Sequence, residues 1–182
     1  MKKLLVISLF LASINLIYSE NISDLKDEKG TAIYYRKAGG RYYKIITKDT
    51  TGSSAEGYIK VKSKYIDLVG AILSSSLFYW FWLIHSDWHN MKTSEIENFP
   101  IPYENLNDNI LKQFYLLYND YLTDLKANTK ITITGLSIFT ARKSKHLIDK
   151  IDDLICPLYG LTQEETNFIK NYEIKFRSSD NE

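Results

Sequence analysis

Tyr34-Tyr35-Arg36-Lys37-Ala38-Gly39-Gly40-Arg41-Tyr42-Tyr43-Lys44 sets two tyrosine–basic quartets on either side of a glycine pair. Paired glycines between two β-prone aromatic runs predict an antiparallel hairpin. Strand side chains alternate between faces, so each run sends one tyrosine and one cation to each face. Such a surface suits a polyanion: cations meet phosphates, guanidinium groups read base edges, and aromatic faces stack. The same residues also fit an ordinary solvated hairpin whose cations serve only solubility.

On the N-terminal side of the hairpin, residues 21–29 are polar and read as a short helix or a linker. On the other side, the second strand extends through Ile45, Ile46 and Thr47. Residues 49–57, rich in Thr, Gly and Ser, form a loop, and Tyr58 to Val61 has the composition of a further short strand. Ser63 is placed to cap a long helix from Lys64 to about His85. Its apolar residues, from Leu68 to Ile84, cover nearly the whole circumference, which belongs to a buried helix or to a membrane segment. The run is marginal in length for a span, and Ser74-Ser75-Ser76 at its centre favours the buried reading.

Ile96-Glu97-Asn98-Phe99-Pro100-Ile101-Pro102 carries two prolines in three residues and must run extended. A helical stripe follows at Leu106, Ile110, Phe114, Leu117, Tyr121 and Leu125. Lys130 to Thr134 alternates β-branched residues and predicts a strand. Arg142 to Leu158 predicts an amphipathic helix with Leu147, Ile148, Ile151, Leu154 and Ile155 inward, ended by Pro157 and Gly160. Thr162 and Glu165 form a capping box that opens a last helix through about Tyr172. The expected fold is mixed α+β, a small hairpin-containing sheet packed against several helices.

The chain has 182 residues, 45% of them hydrophobic and 25% charged, which is the composition of a globular protein and not of a disordered one. The formal net charge is +1, so there is no bulk basic field, and any affinity for nucleic acid must come from local clusters. Clusters occur at Arg36 to Lys48, Lys60 to Lys64 and Arg142 to Lys150. Cys156 is the only cysteine, which excludes an intramolecular disulfide and a cysteine-based zinc site. Met1-Lys2-Lys3 followed by the apolar run Leu4 to Leu16, with Ser19 at a possible cleavage position, has the shape of an export signal. Two readings of it stand: an export signal, or a buried helix cut from a larger protein.

Catalytic signatures are sparse. His85 and His89 stand four apart, a spacing that can suit a metal on a helix face, yet no third ligand is evident. Ala38-Gly39-Gly40 lacks the context of a phosphate-binding loop, and no Ser/His/Asp order stands out. Binding is therefore expected over catalysis.

Three segments carry a resemblance. Ile72-Leu73-Ser74-Ser75-Ser76-Leu77-Phe78-Tyr79-Trp80, the Ile96–Pro102 segment, and Leu158-Tyr159-Gly160-Leu161-Thr162-Gln163-Glu164-Glu165 with the closing Phe168 to Arg177 occur in this order. Together with the hairpin they resemble the C-terminal target-recognition region of type II N6-adenine DNA methyltransferases, particularly the type IIG restriction–modification enzymes. The resemblance covers roughly residues 28–178. It implies a recognition domain over 20–178, preceded by a signal-like or incidental segment at 1–19 and followed by a polar tail at 179–182.

The resemblance further implies sequence-specific binding of double-stranded DNA, and possible company with a separate methyltransferase or endonuclease chain. In that family the Asn-Pro-Pro-Tyr catalytic motif and the S-adenosylmethionine site lie on an upstream domain. Neither that motif nor a nuclease motif is present here, so no cofactor is expected in this chain. Expected DNA contacts are Arg36, Lys37, Arg41 and Lys44, with Tyr35 and Tyr43 adding polar or stacking contacts, and a second patch at Arg142, Lys143 and Lys145. No membrane partner and a cytoplasmic location are expected; the alternative is a secreted or envelope-anchored protein with no DNA role.

Overall fold

The fold was analysed in a computed structural model that describes residues 18–38, 46–87, 89–133, 135 and 137–174. It is mixed α+β, a small antiparallel sheet packed with helices.

Strand β1 (Lys26–Arg36) is the centre of the sheet, flanked by β2 (Ile46–Thr47) and β3 (Glu56–Val61) in the order β2-β1-β3. Both pairings are antiparallel, with Tyr35 opposite Ile46 on one side and opposite Gly57 on the other. The alternation is clear along β1: Ile33 and Tyr35 point into the core, while Tyr34 and Arg36 face outward. The expected pairing of the Tyr34 run with the chain beyond the glycines thus occurs at Ile46 and Thr47; residues 39–45 lie outside the described residues. The polar segment 21–29 differs from expectation. A single 3-10 turn (Ile22–Leu25), capped by Asn21, leads straight into β1. Ile22 and Leu25 are fully buried, and this anchors the turn against the core despite its polar neighbours.

The long apolar segment is not one helix. A 3-10 turn (Ser63–Tyr65) leads into α1 (Ile66–Ser74), and α2 (Ser76–His85) departs at 69° after Ser75. Ser63 is not the cap of α1: Tyr65 holds that place, and the Ser63 hydroxyl pairs with Thr31 Oγ1 at 2.9 Å. The break lies in the serine triplet. Ser75 adopts an extended backbone, its Oγ donates to Ile72 O at 2.6 Å, and it accepts from Phe78 N at 3.0 Å. One side chain thereby serves the end of α1 and the start of α2. Both helices are buried almost all round. Among the described residues no single helix is long and apolar enough to cross a membrane, although the bent pair passes by length and composition.

The two-proline segment runs extended as expected. It follows a short helix α3 (Thr93–Glu97) and pairs with the chain's entry into the sheet, Ile22 N donating to Phe99 O and Ile101 N to Glu20 O at 3.0 and 2.9 Å. Phe99 meets the rings of Phe78 and Phe81 edge-on at 5.4 and 4.9 Å. Each such pair contributes about 0.5–1.5 kcal/mol beyond its area burial. Helix α4 (Asp108–Ala127) buries Phe114, Tyr118, Tyr121, Leu122 and Leu125 against α1. Leu106, Ile110 and Leu117, expected on the same stripe, are only partly buried.

A two-stranded ribbon follows, β4 (Lys130–Ile131) against β5 (Ser137–Ile138), shorter than the expected strand over 130–134. The expected helix over 142–158 is three pieces: a 3-10 turn (Ala141–Ser144), α5 (Lys145–Ile155) and a second 3-10 turn (Cys156–Tyr159). Gly160 ends it with φ 76°, a left-handed conformation that favours glycine. Helix α6 (Gln163–Asn171) opens with the expected Thr162–Glu165 capping box.

Candidate nucleic-acid interface

The end of β1 presents Arg36 and Lys37 to solvent. Their backbone is held from both sides. Arg36 stands opposite Glu56 in the β1–β3 register, Lys37 N donates to Ala55 O at 2.7 Å, and Met91 N donates to Lys37 O at 2.8 Å. The two cations therefore extend from the fixed end of the central strand.

Tyr35 corrects the sequence expectation. It is 2% exposed, and its hydroxyl is 2.6 Å from Thr93 Oγ1, so its ring is core and cannot stack on a base. Tyr34 takes the outward place that Tyr35 was expected to share. It pairs across the strands with Tyr58, ring centroids 6.1 Å apart, and Tyr58 is 59% exposed. The sequence carried a signal for this, since Ile33 shares a face with Tyr35 and is the one aliphatic side chain in the run. Arg41, Tyr43 and Lys44 lie outside the described residues.

Arg36 borders a cavity of about 240 Å³, also lined by Tyr35, Thr47, Glu56, Ser137 and Phe139. The β4–β5 ribbon forms its far wall. Burial pushes the Glu56 carboxyl up, but hydrogen bonds from Thr50 Oγ1 (2.6 Å), Thr51 Oγ1 (2.6 Å) and Thr51 N (2.7 Å) prevail and hold it below its ordinary value. The carboxylate therefore stays charged across neutral pH and pins the 50–51 loop beside β1.

Three residues past Phe139 comes the second predicted patch. Lys143 is exposed, and Arg142 is half-buried with interactions of its own. Lys145, also half-buried, is ion-paired to Asp149 one turn along α5. Its charge is balanced within the helix, which leaves it less available to a phosphate than Lys143. Helices favour cations of this kind at i,i+4 from a carboxylate, an effect of about 0.3–0.5 kcal/mol.

A larger, polar cavity of about 520 Å³ lies elsewhere, lined among others by Tyr18, Asn21, His85, Glu95 and Asn98. Glu95 accepts from Trp82 Nε1 at 3.0 Å and from Lys92 N at 2.9 Å, while His85 stacks on Phe81 with centroids 4.1 Å apart. Among the described residues no three His, Cys, Asp or Glu side chains come together in a way that could hold a metal ion. Burial raises the Cys156 thiol well above its usual range, which leaves it a poor nucleophile.

Compared with known proteins, the chain matches no family model, no curated protein and no solved structure.

Proposed function

We propose that this chain binds double-stranded DNA sequence-specifically, as the target-recognition part of a restriction–modification N6-adenine DNA methyltransferase. Methyl transfer itself, with its S-adenosylmethionine, belongs to another domain or chain. The observation that supports this reading best is the cleft beside β1. Arg36 lines one side of it, and the ribbon on the other side leads within a few residues to Arg142 and Lys143. The half-buried Tyr34 and the exposed Tyr58 pair on the outer face of the same sheet. Cations in such a setting hold phosphates, while arginine suits guanine edges.

The test is selection from a pool of random duplexes by the full chain across a salt series. Enrichment of a short sequence, with affinity falling as salt rises, is the expected result. Arg36→Ala should then cost about 1–3 kcal/mol of binding and relax preference at one base position. Absence of duplex binding at low salt overturns the reading.

A further inference from the structure

The polar cavity of about 520 Å³ is a different one from the cleft beside β1. Its size is common for small-molecule sites, which run to about 300–1,000 Å³. Three stretches of chain wall it. The entry into the sheet supplies Tyr18 and Asn21, the last turn of α2 supplies His85, and the stretch through α3 supplies Lys92, Glu95 and Asn98.

Glu95 is the member that the fold alone does not satisfy. It is 9% exposed, so its carboxylate stands nine-tenths out of water. Trp82 Nε1 and the Lys92 N–H both donate to the same oxygen, Oε2, at 3.0 and 2.9 Å. Oε1 has no partner among the described residues, and the side chain lines the cavity. A buried carboxylate oxygen that the protein leaves unanswered calls for a donor from outside. Other walls offer further acceptors. His85 Nδ1 lies 2.9 Å from Phe81 O, and a carbonyl can only accept. The proton therefore sits on Nδ1, and Nε2 of the neutral ring keeps its lone pair. The Asn98 side-chain amide also has no hydrogen-bond partner among the described residues.

The complementary ligand brings donors and positive charge. An anion would lie against the Glu95 carboxylate, and the Lys92 ammonium is already answered by Asp87 at 2.8 Å. A guanidinium fork needs two free carboxylate oxygens, whereas Oε2 is taken twice. An ammonium is a point charge with three donors and needs only one.

We infer that this cavity binds a small molecule bearing a primary ammonium group, which sits on Glu95 Oε1 with its remaining donors toward His85 Nε2 and Asn98. The inference does not rest on the DNA-binding reading above.

The experiment titrates the isotope-labelled full chain, in an amine-free buffer, with methylammonium, benzylamine and benzyl alcohol, the last having the ring without the charge. The indole N–H signal of Trp82, bound to the same carboxylate, is the reporter. The amines should shift it saturably, and the alcohol should bind about tenfold more weakly than benzylamine. Glu95→Gln keeps an acceptor for Trp82 and Lys92 and removes the charge, so benzylamine affinity should fall about tenfold. Should that variant not fold, Asn98→Ala, at an exposed position, decides in its place: a weakened benzylamine titration supports the site and an unchanged one overturns it. No saturable shift with either amine, equal binding of the alcohol, or undiminished affinity in a folded Glu95→Gln also overturns it.

Discussion

Asp152 Oδ1 accepts a hydrogen bond from the backbone N–H of Ser76 at 2.8 Å, with both residues fully buried. Ser76 is the first residue of α2, so a carboxylate from α5 sits against the positive end of the second half of the broken apolar helix. Ser75 completes the junction from within the segment. The 69° bend is thus held by one contact local in sequence and one from 76 residues away.

Removing the carboxylate should loosen that junction. Asp152→Ala leaves a buried N–H without its acceptor, and the expected loss is about 2–3 kcal/mol, read as a lower urea midpoint. Asp152→Asn retains an acceptor oxygen and should lose clearly less. Equal midpoints for the parent and the alanine variant would show that α2 does not depend on this cap.

Gly70 on α1 packs directly against Tyr118 of α4. A Cβ added there would lie 2.3 Å from the ring carbons, far inside contact distance. Alanine normally improves a helix over glycine by about 0.8–1 kcal/mol. Overpacking of about 1–3 kcal/mol should prevail, so Gly70→Ala is expected to destabilise. Combining it with Tyr118→Leu should cost less than the two single changes added, since the smaller side chain vacates the clash. Denaturant unfolding of the four proteins measures the coupling.

Asp87 and Lys92 should give a clear acid titration. The Lys92 ammonium at 2.8 Å, followed by the His89 N–H at 3.1 Å, lowers the Asp87 carboxyl from 3.8 to about 2. The folded value is the lower one, so the stabilisation from this pair is present above pH 3.8 and is lost as pH falls through about 2. Lys92 is raised in turn, chiefly by its hydrogen bond to Asp87, so its share persists below its ordinary value of 10.5 and disappears only above the raised one. Both groups are solvent-exposed, and the effect on global stability should be small. Carboxyl NMR should place the Asp87 midpoint near 2 and return it toward 3.8 in Lys92→Ala.

Lys143 is expected to act on phosphate and not on bases. Lys143→Ala should weaken binding about equally for all duplexes and reduce the slope of log affinity against log salt by about 1. Arg36→Ala should instead change which sequence is enriched. An unchanged salt slope for Lys143→Ala would move the second phosphate contact elsewhere.

Much of the helical layout was legible because its signals are local. The Thr162–Glu165 box, the Gly160 stop and the two prolines at 100 and 102 act through their own backbone neighbours, and each does in the fold what its spacing predicts. The break at Ser75 was not legible in that way. A serine triplet inside an apolar run satisfies helix periodicity, and the bend there is held by Asp152, 76 residues away, as well as by Ser75 itself. Tyr34 and Tyr35 show the same limit at the candidate interface. The period of two says that they face opposite ways, but their packing partners decide which ring is buried.

From its order of residues alone, the chain determined an α+β architecture, a long buried apolar segment and three basic clusters of a kind that suits a polyanion. These depend on periodicity, turn chemistry and composition, which act over a few residues at a time. Tertiary structure decided that Tyr35 is core while Tyr34 stays half-buried, and that Arg36 meets the β4–β5 ribbon across one cleft. Each of those outcomes depends on contacts between side chains that only the packed fold brings together, and burial, pairing and exposure are properties of those contacts.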